Sequence, residues 1–192
     1  MRKPYVRREL EIPSGVKVTI ESRRIRVEGP LGRVEKDMSH IKSIEVYLEG
    51  SKIVIETFMA EKKTYSMINL LYSLINNMIE GVQKGYRYKM KVVYAHFPMN
   101  VKVDEKNGVV IIENFLGRRG RVTAHIMPGV KVKAEKDEVI IEGIDKEAVA
   151  QTAANIRDAV RLRGKYRMSP HGREGGPGIL DGIYVYAREH LK

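Results

Sequence analysis

The feature that most constrains this chain is that it repeats itself. Val16 to Arg33, VKVTIESRRIRVEGPLGR, lies without a gap over Val101 to Arg118, VKVDEKNGVVIIENFLGR, with identical Val, Lys, Val, Glu, Leu, Gly and Arg. Seven identities in eighteen positions, in the same order of strand, turn, strand and glycine break, are the mark of a duplicated unit. KIVIE (Lys52 to Glu56) matches EVIIE (Glu138 to Glu142), and Asn77 to Met90 lies over Asn155 to Met168.

Each copy has the same local grammar. VKVTI (Val16 to Ile20) and RIRVE (Arg24 to Glu28) alternate apolar and polar residues and read as a hairpin, as do IEVYL (Ile44 to Leu48) and KIVIE around Glu49 to Ser51. In the second copy Asn107 and Gly108 are a strong hairpin signal, since both residues tolerate positive φ. From about Lys62 the period becomes helical: Tyr65, Ile68, Leu71, Tyr72, Ile75, Met78 and Ile79 share one face, and Gly81 is the expected stop. A second helix is expected from Asp145, a good cap, through Ala148, Val149, Thr152, Ala153, Ile156 and Val160. The fold class is therefore α+β: two homologous domains, at 1–84 and 85–192, each a small, mainly antiparallel sheet covered by one helix. Residues 1–9 carry Arg2, Lys3, Arg7 and Arg8 ahead of Glu9, and are read as a basic solvated terminus able to lie along a phosphate backbone. No apolar run follows them as in a secretory leader, and no stretch approaches the roughly 18 apolar residues of a membrane span.

The copies differ most after the second helix. Arg161 to Gly178, RLRGKYRMSPHGREGGPG, holds Arg161, Arg163, Lys165, Arg167 and Arg173 against the single acid Glu174. Its glycines and prolines make it a loop, and its cations suit phosphates. The whole chain has 35 basic and 24 acidic residues, a net charge of +11, which calls for a polyanionic partner. Arg157 and Arg161, four apart, are expected to share a helical face that runs into Arg163, Lys165, Tyr166 and Arg167. GRRGR (Gly117 to Arg121) is a second basic turn in the same copy.

Enzyme chemistry finds little to work with. There is no cysteine, and the five histidines lack metal-ligand spacing. Gly172 to Gly178 lacks the GxxxxGK form and leads into a strand, so it is not a nucleotide cradle. His171 lies near Ser169, but no acid is placed to orient it. No catalytic residue, metal, cofactor or small-molecule substrate is expected.

The duplication, the GPLGRV and FLGRRGRV breaks and above all KYRMSPHGREGGPGILDGIYV resemble the ribosomal protein L-six family of the large ribosomal subunit, in its archaeal and eukaryotic form, the eukaryotic relative being L-nine. The resemblance spans Val6 to Leu191. It implies a noncatalytic, cytoplasmic constituent of the ribosome that binds 23S-type ribosomal RNA near the sarcin-ricin loop and stalk base, beside neighbouring large-subunit proteins and away from membranes. It puts the RNA contacts at Arg157, Arg161, Arg163, Lys165, Arg167, Ser169, His171 and Arg173, with Arg118, Arg119 and Arg121 as a second patch. A general nucleic-acid binder or RNA chaperone without a defined ribosomal site is the alternative.

Overall fold

The computed structural model of the chain describes residues 3–95, 97–161 and 181–191. The chain divides into two compact units, one holding the residues up to Gly85 with Ile144–Lys146, the other Tyr86–Gly143 with Glu147–Leu191. The first contains β1 (Lys3–Glu11), β2 (Lys17–Glu21), β3 (Arg24–Gly29), β4 (Gly32–Asp37), β5 (Glu45–Glu49), β6 (Lys52–Ala60) and α1 (Lys62–Lys84). The second is built from β7 (Tyr86–Val93), β8 (Asn100–Asp104), β9 (Val109–Glu113), β10 (Val122–His125), β11 (Val130–Ala134), β12 (Glu138–Gly143), α2 (Lys146–Ala159) and β13 (Gly182–Glu189).

Each unit is α+β, with antiparallel sheets and one long helix, and its sheet is split in two. The first unit has sheets β1-β6-β5 and β2-β3-β4; the second has β11-β12-β7-β13 and β10-β9-β8. The duplication shows in the register. Glu56 sits opposite Arg7 on β1 and Glu45 on β5, and its repeat mate Glu142 sits opposite Arg87 on β7 and Lys131 on β11. β13 is the departure, since it adds a strand to the edge of β7, where among the described residues β1 has no second neighbour in the first unit.

Period-two and period-3.6 faces meet in each core. In the first unit Ile68, Leu71 and Ile75 of α1 pack with Val27, Ile53 and Ile55 of the strands, all at most 1% exposed. Burying each such side chain stabilises by roughly 1.5–3 kcal/mol. In the second unit Val149, Ala153 and Ile156 of α2 join Val110, Ile112, Val139 and Ile141.

Three expectations change. The basic terminus is not a solvated tail: Lys3–Glu11 is strand β1, paired with β6, with Val6 and Leu10 in the core. Charged neighbours hid that spacing. The first helix does not stop at Gly81 but runs to Lys84, and the N–H of Gly85 bonds the Gly81 carbonyl at 3.0 Å. A helical glycine costs about 1 kcal/mol, less than is regained where Val82 is wholly buried and the Leu31 N–H donates to its carbonyl at 3.0 Å. The close turn there needs Gly29, because a Cβ at that position would lie 2.7 Å from Val82 Cγ2. Finally, Tyr86–Met90, aligned above with residues 164–168 of the basic loop, opens the first strand of the second unit.

Candidate nucleic-acid interface

The basic turn after β9 is held from below. Asn114 and Leu116 adopt left-handed backbone, Phe115 is buried, and the Asn114 side-chain amide donates to the Pro98 carbonyl at 3.0 Å. Gly117, at φ 70, could carry no side chain without meeting the Phe97 ring, 3.0 Å from an added Cβ. The N–H of Arg118 then bonds the Phe115 carbonyl at 3.2 Å. The hydrophobic anchor thus fixes the turn, and Arg118, Arg119 and Arg121 project from it, all exposed.

These arginines differ in freedom. Arg121 Nε lies 3.0 Å from Glu113 Oε1, and Glu113 also accepts from Lys102 Nζ at 2.8 Å. The Lys102 hydrogen bond, opposed by some desolvation, holds the Glu113 carboxyl below its ordinary range. Arg119 makes no ion pair among the described residues. A phosphate would meet Arg119 unencumbered but would compete with Glu113 for Arg121.

The helix that carries Arg157 attaches to the same small module. Thr152 Oγ1 accepts from the Met127 N–H at 3.1 Å, and the Asn155 side chain donates to the His125 carbonyl at 3.0 Å, tying α2 to the end of β10. Arg121 precedes the opposite end of that strand, about 13 Å away at the usual rise per residue. Arg157 is exposed and bonds Asp158 at 3.1 Å. Arg161 is not on the helical face shared with Arg157, because α2 ends at Ala159. The chain instead turns, with the Arg161 N–H 3.4 Å from the Asp158 carbonyl. Arg163, Lys165, Arg167, Ser169, His171 and Arg173 lie outside the described residues. Asp181, ahead of β13, is buried and accepts from the Ala95 N–H at 3.0 Å.

One cationic surface escaped the sequence reading. Arg87, Lys89 and Lys91 alternate along β7 on the side away from the core, and Lys131 and Lys133 do the same on β11. Their signal was the period of two in RYKMK and KVK. Acids partly neutralise them, with Arg87 Nε 2.8 Å from Glu142 and Lys89 Nζ 2.9 Å from Glu189. Among the described residues no group of acids and histidines is placed to hold a metal ion, and no helix is long and apolar enough to cross a membrane.

Comparison with known proteins extends over both units. A family model described as Ribosomal protein L6 matches residues 12–85 and 97–166. The chain is 46% identical over 198 residues to the large ribosomal subunit protein uL6 of Pyrobaculum aerophilum, with 100% of each covered. It is 45% identical over 185 residues to the protein of the same name from Aeropyrum pernix, with 96% of each covered. With that of Methanothrix thermoacetophila it shares 46% over 157 residues, 82% of this chain and 88% of the relative.

Proposed function

Because the chain belongs to the ribosomal protein L6 family, we propose that it is a noncatalytic constituent of the large ribosomal subunit in the cytoplasm. On this reading it binds the large-subunit RNA through its second unit, near the sarcin-ricin loop and stalk base. The observation that carries the assignment is the match of both units to the family and of the full chain to relatives named as large-subunit proteins. The finer placement rests on the family resemblance and on charge.

The physical fit is straightforward. Folded RNA presents phosphates, 2′-hydroxyls and shape more than readable base edges. Arginines on a pinned turn and at a helix end can meet an irregular phosphate path, and a net charge of +11 supplies the long-range attraction. Arg118, Arg119 and Arg121, with Arg157 and Arg161, are the described residues proposed to make these contacts. Arg163, Lys165, Arg167, Ser169, His171 and Arg173 are proposed to extend them, beside neighbouring large-subunit proteins.

Footprinting of the full-length chain on large-subunit RNA tests this. Protection of one discrete region that includes the sarcin-ricin loop is expected, together with co-sedimentation with the large subunit. Diffuse protection along the RNA would favour a general nucleic-acid binder instead.

A further inference from the structure

The two units carry opposite charge on the same face. Val6, Leu10, Ile53 and Ile55 turn one side of the β1-β6-β5 sheet toward α1, so the alternate residues face outward. Among the described residues that outward side bears Glu9 and Glu11 on β1, Glu45 and Glu49 on β5 and Glu56 on β6, against Arg7 and Lys52, Lys3 instead lying over the Tyr65 ring of α1. In the second unit the register-equivalent positions of Glu9, Glu11 and Glu45 are Lys89, Lys91 and Lys131, each opposite the mate of the same β6 residue. Equivalent backbones tolerate either sign, so folding does not require the acids.

We propose that the outward face of the first unit's β1-β6-β5 sheet docks a Lys/Arg-rich segment of another protein. Within a chain of net charge +11, this face repels a phosphate backbone and attracts a polycation. Arg7 bridges Glu9 at 3.0 Å and Glu49 at 2.5 Å, Lys52 pairs with Glu9 at 3.0 Å and the Tyr5 hydroxyl donates to Glu56 at 2.6 Å, while Glu11 and Glu45 have no ion pair within 4 Å among the described residues. The face is also aromatic. The Tyr5 and Phe58 rings stand 5.2 Å apart with Phe58 66% exposed, and Tyr47 lies across from Val54, which is wholly buried. Arginine and lysine combine a cationic head with an apolar stem, and a surface of carboxylates around aromatic rings satisfies both parts. With no metal-holding group among the described residues, the acids are arranged for a spread-out polycation and not for a divalent ion.

The test titrates the isotope-labelled full-length chain with a synthetic peptide of about 20 residues rich in lysine, arginine and glycine, following amide shifts. Shifts at the outward positions of β1, β5 and β6 are expected. The triple variant E9K/E11K/E45K is expected to weaken binding about tenfold or more, as reversing facing charges does at other interfaces. It copies residues the second unit already holds. If the triple variant fails to fold, the single change Tyr47→Lys, which copies Lys133, is read in the same way with a smaller loss. Shifts elsewhere, an unchanged affinity in the variants, protection of this face by RNA, or a concentration-dependent doubling of mass that occludes it would each overturn the proposal. The docking face shares no residue with the proposed RNA contacts, so a chain that footprints on RNA but ignores the peptide loses this inference alone.

Discussion

At Gly29 the absent side chain matters more than at any other described turn, because both the side chain and the backbone oxygen of Val82 crowd the space a Cβ would take. Gly29→Ala is therefore expected to destabilise the chain by about 1–3 kcal/mol, the usual range for overpacking. Urea denaturation measures it, and a loss under a few tenths would show that the turn gives way freely. Carboxylates supply a second test. Lys52 beside Glu9, Lys102 beside Glu113 and the Asn107 amides at Asp104 each hold a carboxyl below its ordinary range. A carboxyl depressed in the folded state contributes stability that is present above the unfolded pKa, near 4, and lost as the pH falls through the depressed value. Carbon-detected titration of the folded chain should place all three midpoints below those of free side chains, and a Glu9 midpoint at or above the ordinary value would remove the Lys52 bond from the account. Asn107 and Gly108 also show how a correct residue signal can take another form. The hairpin is present, but residues 105–108 form its loop, only Gly108 takes positive φ, and Asn107 bonds back to Asp104. The tighter two-residue turn falls on Ser22 and Arg23, both left-handed, where Arg23 bonds the carbonyls of Ile41 and Lys42. No glycine or asparagine advertised it.

Among the elements, α1 was the most legible, because its stripe repeats over about four turns and the strands packed against it need that stripe covered. Ile75 lies at the centre of the stripe and is wholly buried. Ile75→Ala is expected to cost about 2–5 kcal/mol, read from the urea midpoint. β1 and β7 hold equivalent places in the two units but differ at their edges. Among the described residues β7 is paired on both sides, by β12 and β13, whereas β1 is paired by β6 alone. Amide exchange should protect nearly every residue of β7 and only alternate residues of β1, and uniform protection of β1 would mean that something covers its open edge. β1 was illegible for the same reason that it makes a tolerable edge: Lys3, Pro4, Arg7, Arg8 and Glu9 discourage further pairing, and they swamp the apolar spacing of Val6 and Leu10.

For the molecule as a whole, the number of phosphates its cations neutralise sets how the proposed RNA binding responds to salt. Each phosphate contact removed is expected to flatten the dependence of log affinity on log salt by roughly 0.7–0.9. Arg119→Ala should produce about one such step while leaving the melting temperature unchanged, because Arg119 is exposed and makes no ion pair among the described residues. An unaltered slope would exclude Arg119 from the interface. The duplication, the α+β class, both helix faces and the clustering of arginines in the second half were determined by the sequence itself, because periodicity and composition are local properties that backbone geometry must obey. Tertiary structure alone decided that β1 joins a sheet, that β13 closes the edge of β7, that Arg161 leaves the helix, and that register-equivalent faces of the two units bear opposite charge. Those outcomes depend on which strands meet and in what register, and that pairing is set by packing between residues far apart in the chain.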